Sequence, residues 1–348
     1  MKRVYLDHAA GIGNPSSVHH EGRKAKKILD DARAKIGAVL NCRAEEIIFT
    51  GSGTEANNLA IFGVPSGHII STNIEHHSVL RPLEKRGNVT FVPVKPNGII
   101  NPDDIAKALR PDTVLVSVIY ANNEIGTTQP IRAIKKIIGN VLLHTDACQA
   151  AGYLDINVQN LGVDLMTING AKIYGPQGTG VLFVRRGTRL MPIILGGDQE
   201  RGLRAGTQNP VLIADFAKAL KLAEKKREKE SARLINLRDW FIAQLPDAKL
   251  NGDPVQRLPN NINISFDDID GEMLMLALDL KGIAVSTGAA CTVTSTEPSH
   301  VLQALHATRD TLHDQGNIRL TLGRSTTKKD LEYTLQVLKK EVARLRSL

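Results

Sequence analysis

The sequence predicts an α/β fold, with a large domain built on a mostly parallel sheet and a smaller α+β domain after it. Three observations predict this. From about residue 45 to 185, short β-rich runs alternate with helical patterns. Beyond residue 209 a long charged helical stretch breaks that rhythm. After it, strands are set among helices instead of alternating strictly with them. Regular alternation indicates parallel strands with helices on both faces, because each parallel connection must cross over the sheet.

Taken in order, the strand candidates of the large domain are EEIIFT (45–50), GHIIST (67–72), NVTFVPV (88–94), TVLVSVIY (113–120), NVLLHTD (140–146), DLMTIN (164–169) and GVLFVRR (180–186). They are apolar, β-branched runs bounded by turn residues. Between them, EANNLAIFGV (55–64) and PDDIAKALR (102–110) carry helical periodicity. Residues 209–245 read as one long helix or two. NNINISF (260–266), GIAVST (282–287) and NIRLTLG (317–323) are further strands, and residues 328–348 form a last helix. The expected division is a large domain over 13–228, with a small domain made of an N-terminal strand in 1–12 together with 229–348.

At 348 residues and 42% hydrophobic, the chain can bury a substantial core, although only 4% is aromatic. The net charge of +8 reads as a solvated basic surface. No aromatic-interleaved basic motif or zinc-type spacing argues for a nucleic-acid module, and no apolar run has the length of a bilayer span. Three widely spaced cysteines make no disulfide framework. With no signal-peptide pattern at the N-terminus, the expected location is the cytoplasm.

Two strand ends carry the chemistry. Asp146 closes NVLLHTD and Lys172 follows DLMTIN. Ligands of parallel sheets bind at the carboxyl ends of strands. A lysine amine forms a Schiff base with an aldehyde, and a carboxylate keeps a pyridine nitrogen protonated, so the pair suits pyridoxal phosphate (PLP). FTGSGTEANNLAIFGV (49–64) reads as strand, Gly-rich turn and helix start, a phosphate site with the Thr54 hydroxyl as an added donor. Its plainer reading is an ordinary helix capped by Thr54. Gln149 shares a face with Asp146 if a helix starts there, and its amide then reaches the phenolate oxygen of PLP. Asn123 reaches the same oxygen or simply forms a turn. His76 stacks on the ring or moves protons, or is structural. Cys291, among small and hydroxylated residues in VSTGAACTVTSTEPS, has the setting of a nucleophile on a mobile loop.

Together these segments closely resemble the cysteine desulfurases related to NifS and IscS, in the class V aminotransferase group of fold-type I PLP enzymes. The matching stretches include YLDHAA, FTGSGTEANNLAI, IEHHSVL, ANNEIGTTQPI, HTDACQ, AKIYGPQGTG, ERGLRAGTQN, STGAACT and IRLTLGR, in the family's order over nearly the whole chain. The resemblance implies that Lys172 is the Schiff-base lysine and Asp146 the pyridinium partner. Gln149 and Asn123 would flank the ring oxygen, with His76 stacked on the ring. Gly53 and Thr54 would hold the phosphate, and Thr207 would reach the phosphate of the other subunit of a homodimer. Arg319 would clamp the substrate carboxylate, and Cys291 would take up sulfur from L-cysteine as a persulfide. The onward partner is then a sulfur-acceptor protein, an iron–sulfur scaffold or sulfur carrier. Cys42 and Cys148 match no family nucleophile and read as structural.

The chain departs from the family in two places. Where members carry Ser-x-His-Lys, it has Asn169-Gly170-Ala171-Lys172. Asn169 still donates to a phosphate and Ala171 does not, a loss of about 1.5–3 kcal/mol of PLP affinity. After YLDHAA it runs directly through Gly11, Ile12 and Gly13, without the family's Thr-Thr-Pro and helical segment. Two other readings remain open: selenocysteine lyase or another class V activity, and a degenerate homologue acting as a non-catalytic partner or scaffold.

Overall fold

The computed structural model describes residues 3–288, 299–306 and 316–347. Cys291 lies outside them. Helix α1 (His20–Leu40) starts at His19, whose ring nitrogen accepts from the Gly22 amide, and stops at Asn41, which turns left-handed at φ 57°. There follow β1 (Ile47–Thr50), α2 (Gly53–Gly63), β2 (His68–Thr72), α3 (His77–Arg86), β3 (Val89–Val92), α4 (Pro102–Ala108), β4 (Thr113–Ser117), α5 (Ile131–Ile138), β5 (Leu142–Asp146), α6 (Val158–Leu161), β6 (Leu165–Asn169) and β7 (Gly180–Val184).

These seven strands form one sheet in the order β1-β7-β6-β5-β4-β2-β3. The pairs from β6 through β3 are parallel, and β7 runs antiparallel to both its neighbours. Six strands (β1 to β6) therefore point their carboxyl ends to the same edge, and β7 alone points the other way. The sheet is apolar on both faces because each is covered. Ile48, Ile69, Leu115, Leu165 and Leu182 pack against α2 and α3. Phe49, Ile70, Val116, Met166 and Phe183 pack into the core under α1, α5 and α7 (Pro210–Ala243). Burying five apolar side chains per face contributes about 1.5–3 kcal/mol each before chain entropy is subtracted.

Residues 210–243 form one continuous helix, capped by the Asn209 side chain with Pro210 in its first turn. Its second half packs on a separate core with β8 (Lys249–Leu250), β9 (Asn261–Ser265), α8 (Gly271–Asp279), β10 (Asn317–Thr321) and α10 (Lys328–Arg346), while α9 (His300–His306) lies on a small cluster with Ile74 and Ile125. The second sheet has the order β10-β9-β8 and is antiparallel.

The seam between the two sheets is polar. Asn261 and Asn263 of β9 both donate to the Glu124 carbonyl, at 2.9 and 3.0 Å. The buried Arg257 guanidinium donates to the carbonyls of Ile125 and Asn251.

Three local expectations need correction. GIAVST is not a strand: among the described residues its only ladder contact is the single bridge Ser286–Arg319, so the β-branched run has no described neighbour to extend along. No strand forms over residues 3–12; a 3-10 turn at His8–Ala10 stands there, with Val4, Leu6 and Ile12 exposed. Residues 148–153 after Asp146 are successive turns, and no helix starts there.

Candidate active site

The carboxyl edge of the large sheet and the near end of the small one enclose a cavity of about 410 Å³. Lys172, Asp146, Gln149, Asn123, His76, Gly53, Thr54, Asn169 and Arg319 all line it. Thr207 does not: it sits exposed beyond the 3-10 turn Gln199–Gly202.

At the end of β5, Asp146 is 5% exposed and both its oxygens are engaged. Oδ1 accepts from the Cys148 amide at 2.9 Å and Oδ2 from Asn57 Nδ2 at 2.7 Å. Those two bonds fix the carboxylate's orientation. Asn57 also donates to Ser78 Oγ at 2.8 Å, and Ser78 stands 2.7 Å from His76 Nδ1. Because that nitrogen also accepts from the Ser78 amide, the proton of a neutral His76 is assigned to Nε2. Asp146, Asn57, Ser78 and His76 thus form one hydrogen-bonded chain. Asn57 and Ser78 were missed at the sequence level; they touch the site through other side chains, and only the tertiary fold shows that.

At the end of β6, the 3-10 turn Ala171–Ile173 presents Lys172, and its amide is held by Asn169 Oδ1 at 3.1 Å. Ala171 is exposed and lines the cavity, contributing no donor.

At the end of β1, Ser52, not Thr54, caps α2 by accepting from the Glu55 amide at 3.1 Å. The Thr54 hydroxyl is therefore not used as the cap. The Ala56 amide already donates to the Ser52 carbonyl, so the Gly53 and Thr54 amides are the first-turn groups left for an anion. A Cβ at Gly53 would stand 2.9 Å from the Cys148 sulfur and 3.2 Å from Asn169 Cβ, so glycine is required. Burial pushes the Cys148 thiol well above its usual range and the neighbouring Asp146 charge adds to this, which leaves it protonated and a poor nucleophile. Burial also pushes the Cys42 thiol up to about 12.

From the small sheet, β10 delivers Arg319, whose Nη1 donates to the Asn123 carbonyl at 3.2 Å. The loop before Thr207 is held from inside. Glu200 has no exposed side-chain surface and accepts from Arg33 at 2.7 and 2.9 Å and from the Phe49 amide. Arg204 pairs with Glu55 of α2 at 2.8 Å.

This donor set fits PLP. There is an amine for the aldehyde, a fixed carboxylate for the ring nitrogen, the side-chain amides of Gln149 and Asn123 for the ring oxygen, and a helix start with the Thr54 hydroxyl and a glycine that leaves room for the phosphate.

The aminotransferase class-V family model matches residues 1–334, and the chain belongs to that family, a family of PLP enzymes. Within it, the chain is 46% identical to the cysteine desulfurase IscS of Dictyoglomus turgidum, over 100% of this chain and 97% of that protein. It is 44% identical to cysteine desulfurase IscS 1 of Archaeoglobus fulgidus, over 97% and 91%. Among solved structures, a NifS-like protein superposes with a TM-score of 0.87 at 33% identity, covering 96% of this chain and 92% of that one. SspA in complex with cysteine superposes with a TM-score of 0.77 at 33% identity, covering 89% and 90%.

Proposed function

We propose that the protein is a PLP-dependent cysteine desulfurase. It converts L-cysteine to L-alanine and carries the sulfur as a persulfide on Cys291 to an acceptor protein, for iron–sulfur cluster assembly or tRNA thiolation. The observation that carries this reading is the convergence of Lys172, Asp146, the α2 start and Arg319 on one cavity, in a chain whose relatives match it end to end.

When bound, PLP supplies an electron sink that makes the Cα proton of the amino acid acidic and its carbon–sulfur bond labile. The protein's own groups do the rest. The Gly53 and Thr54 amides hold the phosphate, with Asn169 beside them. Asp146, fixed by Asn57 and the Cys148 amide, holds a positive charge at the ring nitrogen. Gln149, Asn123 and His76 surround the ring. Arg319, anchored on the Asn123 carbonyl, pairs with the substrate carboxylate. Lys172 Nζ takes the Cα proton and returns it. The Cys291 thiolate bonds to the substrate sulfur as the Cβ–S bond breaks, and its electron pair stays on Cβ, which is then protonated. One sulfur atom has moved: a thiol and cysteine have become a persulfide and alanine. An acceptor thiolate then takes the outer sulfur and restores Cys291.

Thr207, exposed and outside its own cavity, supports a homodimer in which it completes the partner's phosphate site. The chain works as two units, 13–228 and the remainder, the second bringing Arg319 and Cys291. The free, unpaired state of Cys42 and Cys148 favours a reducing compartment such as the cytoplasm.

The test is a visible spectrum with added PLP, followed by L-cysteine and assays of alanine and reducible sulfur. A PLP–lysine band with equal yields of the two supports the reading. A band without alanine from L-cysteine points to another substrate, selenocysteine first. No band moves the weight to a non-catalytic partner.

Two variants refine it. Cys291→Ser is expected to abolish sulfur release while the cofactor colour stays; unchanged turnover removes Cys291 as the carrier. Ala171→His is expected to tighten PLP binding by about ten- to a hundredfold, the worth of one charge-assisted contact, in an absorbance titration. No change would show that the phosphate is held another way.

A further inference from the structure

Directly after the turn bearing Lys172, the backbone becomes left-handed at Tyr174, with φ 62° and ψ 26°. A bulky residue is disfavoured there and glycine is the usual occupant, so the side chain must supply something glycine lacks. It is not burial, because Tyr174 is 55% exposed. The side chain instead reaches across to the loop that leaves β10. The phenol oxygen accepts from the Arg324 amide at 2.9 Å. The Arg324 guanidinium carbon stands 4.3 Å from the centre of the Tyr174 ring, a cation–π contact. Gly323 leaves room for this approach: a Cβ there would lie 2.8 Å from the phenol oxygen.

The same loop is tied on its other side to α7. Arg233 donates to the Thr326 carbonyl at 2.7 Å and to the Gly323 carbonyl at 2.9 Å. Thr321, Leu322 and Gly323 line the cavity just downstream of Arg319, and Tyr174 lines it just downstream of Lys172.

We infer that Tyr174 is a positioning residue: it ties the turn carrying Lys172 to the strand carrying Arg319 and so sets the gap that the substrate spans. This rests on Lys172 and Arg319 acting as proposed above. The contact adds a latch at the cavity's edge to the seam bonds of Asn261, Asn263 and Arg257, made by one hydroxyl, which also bonds the Tyr153 phenol, and one ring face. Losing the hydroxyl loosens the clamp without touching the cofactor's donors.

The test uses the full-length protein and Tyr174→Phe, Gly323→Ala and their combination. Amide exchange over residues 320–326 reads the latch directly, and the KM and kcat for L-cysteine read its use. In Tyr174→Phe, exchange over 320–326 is expected to quicken by about tenfold, and KM to rise by about two- to tenfold, the worth of one hydrogen bond. The rise in KM should exceed any fall in kcat. Gly323→Ala should reproduce both changes by pushing the phenol away, and the double variant should add nothing, because the oxygen it would strike is gone. Unchanged exchange overturns the inference. So do faster exchange with KM and kcat moving together, and losses that multiply in the double variant. If the unaltered protein makes no alanine from L-cysteine, the desulfurase reading fails, while the exchange comparison still decides the latch.

Discussion

Lys172→Ala is expected to lower alanine formation from L-cysteine by at least about ten-thousand-fold, the scale on which removing a covalent catalytic group acts. No second lysine lines the cavity among the described residues, so no neighbour can substitute for it. The backbone around it is stiff: the Lys172 amide is held by Asn169, and Gly170 and Gly175 are locked to Thr179 and to each other by backbone bonds. The truncated side chain is exposed and carries no packing, so the melting temperature should stay within a few degrees. The measurement is alanine yield under single-turnover conditions, with the visible band as a second readout. A variant that keeps more than about 1% of the rate, or an unaltered band, removes Lys172 from its assigned role.

The second large effect concerns stability and pH. Glu75, between β2 and His76, is completely buried. Its Oε1 accepts from Thr72 Oγ1 at 2.6 Å and from the Ile119 amide at 3.0 Å, while Oε2 has no hydrogen-bond partner among the described residues. Burial pushes this carboxyl up to about 8, against the smaller downward pull of those two bonds, and the Asp146 charge adds a little more. The folded protein therefore holds the Glu75 proton more tightly than the unfolded chain, whose glutamates ionise near 4.5. The stabilisation is fully present below pH 4.5 and is lost as pH rises towards 8, at no more than about 1.4 kcal/mol per pH unit. Glu75→Gln keeps the shape and cannot ionise. Urea melts between pH 5 and 8 should show a shallower decline for the variant, which becomes relatively more stable at pH 8. Parallel pH profiles for the two proteins would show that Glu75 does not titrate in this range.

Much of this molecule is legible in its sequence, for physical reasons. The inner strands of the large sheet are buried on both faces, so each reads as a mainly apolar, β-branched run that ends where the chain must turn, whereas the edge strand β3 is half-exposed. That placed Asp146 and Lys172 at strand ends before any coordinates. GIAVST has the same composition but misleads, because a strand needs a neighbour as well as a propensity, and only Ser286 finds one. The turn holding Gln149 looks helical because its alanines favour a helix locally, yet it is spent carrying the chain past Asp146. Thr54 and Ser52 are equally good caps by composition, and only geometry distinguishes them. Asn57, Ser78 and Tyr174 lay beyond sequence reasoning because the contacts that bring them to the site, Asn57–Asp146, Asn57–Ser78 and Tyr174–Arg324, join residues 21 or more apart and carry no periodic signal. Cys291, the proposed sulfur carrier, lies outside the described residues.

The seam between the two sheets has one further consequence. Asn261 and Asn263 both reach the Glu124 carbonyl, and they are two residues apart on β9, so they share a face of the pleat. A slip of β9 by one residue would swing both amides away and set Ile262 and Ile264 against that carbonyl. An apolar seam would tolerate many near-equivalent seatings, and this one admits a single position, like a key in its wards. Arg319, on the neighbouring strand, inherits that indexing, so the proposed substrate clamp is aligned by two side-chain amides of the strand beside it.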